Sequence, residues 1–83
     1  MPYLNEEDRF KLDELSMYPV PKTAGELNYL LTKMVLLYLG KNPNYERYNA
    51  AVGALESCKL EYYRRMVAPY EDFKKDVNGD VYP

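Results

Sequence analysis

The stretch from Thr23 to Gly40 restricts the fold of this chain more than any other. Thr23-Ala24-Gly25-Glu26 has the form of a capping box, in which the threonine hydroxyl accepts from the Glu26 amide while the carboxylate reaches back. Leu27, Leu30, Leu31, Met34 and Tyr38 follow at helical spacing. Val35, Leu36, Leu37 and Leu39 widen that stripe until the last two turns are apolar almost all round. A helix of that kind is buried on more than one side. Gly40 is the residue expected to stop it. A chain of 83 residues has little to place on both sides of such a helix, because at about this size only roughly 60% of the unfolded surface is buried on folding. Cys58 is the single cysteine and there is no histidine, which excludes an internal disulfide and a Cys/His metal cage. Self-association is the support that this leaves.

Three further segments surround that helix. Asn5 is a good N-cap for a short acidic helix in residues 1–17, with Glu6, Glu7 and Asp8 at its positive end and Phe10, Leu12 and Leu15 as apolar contacts. Tyr18-Pro19-Val20-Pro21 then imposes an extended linker. After the Lys41-Asn42-Pro43 turn, Asn44 caps the longest element, predicted over about Tyr45 to Ala68. Its seam, Tyr45, Tyr48, Val52, Leu55, Lys59, Tyr62 and Met66, alternates by three and four, as a helix facing an antiparallel neighbour does. Ala50, Gly53, Ala54 and Ser57 form a small-residue face. Pro69 is expected to end or kink this helix, with a short helical turn at Tyr70–Lys75, a turn at Asn78-Gly79 and a loose end. The predicted fold is all-α: one domain over residues 1–83, with an antiparallel two-helix hairpin as its core at 23–68, an acidic helix before it and a short turn and tail (69–83) after it.

The residues that carry familiar chemistry are missing. Without histidine, Ser-His-Asp and Cys-His arrangements cannot be built, and there is no Walker A or G-x-G-x-x-G loop. Cys58, between Leu55 and Tyr62, is expected to be a small buried hydrophobe. Asp76-Val77-Asn78-Gly79-Asp80 opens like a calcium loop but has Val81 where that loop needs glycine, so it reads as a plain turn. No enzyme activity, cofactor or metal is expected.

Charge and aromatic content point to binding instead. The net charge is −2, with acidic ends and a middle (16–68) that carries +3. A duplex DNA binder would show a denser basic stripe. Ten tyrosines stand against two phenylalanines and no tryptophan. Tyrosines and arginines interleave at Tyr45-Glu46-Arg47-Tyr48 and at Tyr62-Tyr63-Arg64-Arg65. Aromatic faces can stack on a nucleobase and arginine can hold phosphate by paired charge-assisted bonds. The plainer reading of the same residues is a tyrosine-rich seam with surface arginines. The lone cysteine and an N-terminus without the basic and apolar regions of a signal peptide fit a cytoplasmic protein. The longest apolar run, Met34 to Leu39, is six residues, too short to span a membrane.

From Met1-Pro2-Tyr3 onward, the runs Gly25-Glu26-Leu27-Asn28-Tyr29, Tyr45 to Asn49, Gly53-Ala54-Leu55-Glu56, Tyr63-Arg64-Arg65, Ala68-Pro69-Tyr70-Glu71 and Asn78-Gly79-Asp80-Val81-Tyr82 resemble a family of short uncharacterised proteins of phages and prophages. That resemblance implies a phage-type accessory protein. Arg47-Tyr48 through Gly53, then Arg65 to Pro69, is similar in spacing to the C-terminal helix of the phage sponges that sequester cyclic oligonucleotides of CBASS immunity. Those sponges are helical hairpins that oligomerise and bind signalling nucleotides between subunits. The likeness covers one helix, and no binding residue is carried over from it.

The expected function is therefore non-catalytic binding by a homo-oligomer, with a cyclic nucleotide as the ligand, Arg47, Arg64 and Arg65 toward phosphate, and Tyr45, Tyr48, Tyr62 and Tyr63 toward bases. A protein-interaction module acting on a host protein is the alternative.

Overall fold

The computed structural model describes residues 4–15 and 18–83, and over them the chain is helical, with no strand among the described residues. The expected acidic helix is α1, Glu6–Leu15; residues 1–3, 16 and 17, which the same expectation included, lie outside the described residues. Asn5 starts it as the sequence predicts, its side-chain oxygen accepting from the Asp8 amide at 2.8 Å.

Helix α2, Ala24–Leu39, keeps the expected bounds at both ends. The Thr23 hydroxyl accepts from the Glu26 amide at 3.1 Å. The Glu26 carboxylate reaches one residue further back than a capping box requires and accepts from the Lys22 amide at 3.0 Å. Gly40 ends the helix at φ 71 and ψ −163, a region that only glycine enters without strain, and donates its N–H to the Leu36 carbonyl at 3.2 Å.

Helix α3 is Tyr45–Tyr62. Asn44 is its cap, accepting from the Arg47 amide at 2.9 Å through its side chain and from the Tyr48 amide at 3.0 Å through its carbonyl. Beyond Tyr62 the structure departs from expectation. Residues Tyr63–Val67 wind as a π turn, with the Ala68 N–H donating to the Tyr63 carbonyl, and α4, Ala68–Asn78, follows without a break. Pro69 therefore neither ends the helix nor leaves only a short turn after it. In a regular α-helix its ring would strike the carbonyl four residues back and its missing N–H would leave that carbonyl without a partner. The wider π turn just before it shifts the ladder by one residue and makes room for the ring, so the helix continues through Pro69, the second residue of α4. Helix α4 runs three residues past the expected Lys75, so Asn78 is helical. Gly79, at φ 92, closes the helix by donating to the Lys75 carbonyl at 2.8 Å.

The chain divides into two units, Met1–Ala51 and Val52–Pro83. Only Ala51, at 8% exposure, is buried among the described residues, although 47% of the chain is hydrophobic. In the first unit Leu36 and Leu37 of α2 are open to solvent; in the second so are Val52, Tyr62, Met66, Tyr70 and Phe73. Cys58 is exposed too, against the expectation of a buried hydrophobe, because no element of its own unit lies over that part of α3. A methyl group added at Gly53 would meet nothing within 4 Å, so the small-residue face is open at that position.

Candidate functional site

The residues singled out for ligand binding fall into two clusters, Tyr45, Arg47 and Tyr48 in the first unit and Tyr62, Tyr63, Arg64 and Arg65 in the second. In the first, Arg47 lies one turn into α3 and points back to the end of α2. Its guanidinium donates to the Tyr38 carbonyl, and its central carbon stands 4.2 Å from the centre of the Tyr38 ring. The Tyr38 carbonyl is one of the last four in α2 and has no partner in the helix ladder. A cation there satisfies an orphan acceptor, complements the negative helix end and gains from the ring face. Arg47 is thus half-buried and occupied, a clamp on the turn, while Tyr45 and Tyr48 remain exposed.

In the second cluster, Glu61 organises both neighbouring arginines. Its two carboxylate oxygens lie 3.6 Å from Arg64 and 3.5 Å from Arg65, the ordinary spacing of charges three and four apart on a helix. The two arginine side chains stay 71% and 65% exposed. Glu61 itself is half-buried at 26%, so the pairs are open on the arginine side and partly shielded on the carboxylate side. Tyr63 does something else. Its hydroxyl donates to the Glu71 carboxylate, bridging from the first residue of the π turn to the first turn of α4. That hydrogen bond, with desolvation and the negative charges of Glu71 and Asp72, raises the phenol above its ordinary value of 10.0. Tyr62 is exposed and open to a partner.

Tyr38, Glu61 and Glu71 were not among the site residues expected from sequence. The Glu61 pairs were legible in principle from their spacing. Nothing in the sequence marks a contact from Tyr63 to Glu71 eight residues on, because it depends on the π turn between them. One open groove of about 320 Å³ lies elsewhere in the first unit, where Pro19, Val20 and Pro21 pass beside Glu26, Tyr29 and Leu30. None of the predicted site residues lines it. Among the described residues no group of histidine, cysteine, aspartate and glutamate is placed to hold a metal ion, and no helix is long and apolar enough to cross a membrane.

The runs that carry this geometry coincide with a known sequence family: the model for a domain of unknown function, DUF6899, matches residues 1–81. The chain belongs to that family. Both clusters, the α2 capping box and the Ala68-Pro69-Tyr70-Glu71 run that follows the π turn all lie within the DUF6899 match. No curated protein and no solved structure matches the chain.

Proposed function

We propose that this DUF6899 protein is a non-catalytic accessory protein of phage type that works by binding, as an oligomer built on an antiparallel hairpin of α2 and α3. The sharper form of the reading is sequestration of a cyclic nucleotide immune signal in the cytoplasm of a host cell. The observation that carries it is the presence, in each unit taken by itself, of exposed tyrosine rings close in sequence to arginines: Tyr45 and Tyr48 near Arg47 in the first, and Tyr62 near Arg64 and Arg65 in the second, where the two arginine side chains stay 71% and 65% exposed in their ion pairs with a half-buried Glu61. Rings in that state are free to stack on bases, and arginines in that state are free to take phosphate. The clamp of Arg47 on Tyr38 bears only on the turn of that hairpin: it fixes where α3 starts against the end of α2, while the two helices make no close backbone approach among the described residues. It also changes the role of that arginine from ligand contact to positioning residue.

Calorimetric titration of the full chain with a panel of cyclic di- and trinucleotides tests the reading. A saturable heat with one of them is expected, lost in Arg65→Ala and kept in Lys11→Ala, whose ion pair to Glu7 lies on α1. No heat with any member sinks the nucleotide reading.

A second reading, a module that docks on a host protein, is favoured by the exposed aromatic face of α4, Tyr70 and Phe73. It predicts one stoichiometric partner in affinity capture from a bacterial lysate, and Tyr70→Ser should release that partner.

A further inference from the structure

The second unit is dominated by one unbroken helical winding, Val52 to Asn78, and the π turn inside it decides which residues share a face. Along α3 the three-and-four alternation places Val52, Leu55, Lys59 and Tyr62 on one line. Extended through an ordinary α-helix, that line would pass over Pro69, Phe73 and Asp76. The π turn takes up one extra residue, so every residue after it occupies the angular place of its predecessor. The line therefore passes over Tyr70, Lys74 and Val77, with Phe73 beside it. Lys74 is drawn over the Tyr70 ring, its ammonium 5.7 Å from the ring centre. Without the extra residue an aspartate would stand where Val77 stands.

This continuous face has no cover in its own unit. Val52 is 66% exposed, Met66 64% and Val77 62%, and Leu55, Tyr62, Tyr70 and Phe73 are exposed as well. Together these side chains leave on the order of 800 Å² open, the area that each partner contributes to a standard stable interface. Helix length selects the occupant. The part of the helix that lies in this unit, Val52 to Asn78, extends about 40 Å at 1.5 Å per residue, and the helix begins seven residues earlier at Tyr45, while the 16-residue α2 reaches only about 24 Å. Among the described residues only the same helix of another molecule matches its length. Val52–Asn78 carries five bases (Lys59, Arg64, Arg65, Lys74, Lys75) and five acids (Glu56, Glu61, Glu71, Asp72, Asp76), for no net charge, and the two lysines that stand on the line itself, Lys59 and Lys74, have Glu56 and Glu71 at its edge to meet on a second copy.

We propose that a second copy of this chain packs on the face formed by Val52, Leu55, Tyr62, Met66, Tyr70 and Val77, which leaves base stacking to Tyr45 and Tyr48, and that the π turn keeps this face in register across Pro69. The proposal rests on the reading of the protein as an oligomer and names the surface that makes it one.

Sedimentation of the full chain over a concentration series tests it. The wild-type protein is expected at a multiple of its 9.8 kDa chain mass. Tyr70→Asp should weaken association at least about tenfold, which is about 1.4 kcal/mol, and Asp76→Lys, off the line, should leave it unchanged. Helical circular dichroism is recorded for each variant. A helical wild-type monomer overturns the proposal, as does association that Tyr70→Asp leaves intact. If Tyr70→Asp loses its helicity, a nitroxide on Cys58, the chain's single thiol, gives the answer in the wild-type sequence. Dipolar coupling between copies within about 40 Å, the length of the helix, and lost on dilution with unlabelled chain, supports the paired face; no coupling overturns it. The nucleotide titration fails independently: an oligomer that binds no nucleotide sinks the ligand alone, and a monomer that binds one sinks the paired face alone.

Discussion

At the scale of single residues, the most informative contact is the hydrogen bond from the Tyr63 hydroxyl to Glu71, because it ties the start of the π turn to the first turn of α4. Its pH dependence has a definite sign. The phenol is raised above 10.0 in the folded chain, so the contact contributes its stability in full below that pH and loses it as pH rises through the folded value. The helical signal of the wild-type protein should therefore fall more steeply above about pH 10 than that of Tyr63→Phe, which has no proton to lose there. Equal pH profiles for the two proteins would show that the bridge does not brace the turn. Residue types were a fair guide to such groups and a poor guide to their roles. Arg47 was legible as a cation beside tyrosines, but its attachment to the Tyr38 carbonyl requires knowing where α2 ends in space. Cys58 is exposed because an apolar neighbourhood in sequence is not a covered one in the fold.

At the scale of elements, the sequence was most readable wherever structure is decided within three or four residues. Asn5, Thr23 and Asn44 each cap a helix through contacts to an amide three residues on, and Gly40 stops α2 through its own backbone angle. The structure departs from the expected end of the helix at Pro69, where the local rule for proline competes with the helix on either side, and a π turn resolves the conflict without ending the helix. The small-residue face of α3 gives this scale its own prediction. Gly53 sits mid-helix with open space where a methyl would go, so Gly53→Ala should stabilise the helix by about 0.5–1 kcal/mol, read from urea unfolding followed by circular dichroism. A loss of stability in that variant would mean that another backbone does approach Gly53 closely, as the sequence pattern suggested. The glycine would then be retained for packing.

At the scale of the whole molecule, the surplus of apolar surface was legible from the all-round apolar end of α2, whereas the face that continues through α4 was not, because its alignment depends on one extra residue in a turn that no sequence pattern announces. That dependence can be tested by moving the register and then restoring it. Pro69→Ala removes the reason for the π turn. With an ordinary ladder, the substituted position, Phe73 and Asp76 take the line held now by Tyr70, Lys74 and Val77, which sets a carboxylate among apolar neighbours. Helicity should rise while association weakens roughly tenfold, or about 1.4 kcal/mol. Deleting Val67 in the same background takes out the extra residue, and Tyr70 and Val77 return to the line over a regular α-helix. Association should then recover toward the wild-type value in the sedimentation series. Recovery on deletion would tie the assembly to helical register, since a shorter chain with fewer apolar atoms gains nothing otherwise. If Pro69→Ala associates as well as the wild type while its helicity rises, the proline and its π turn serve some purpose other than alignment.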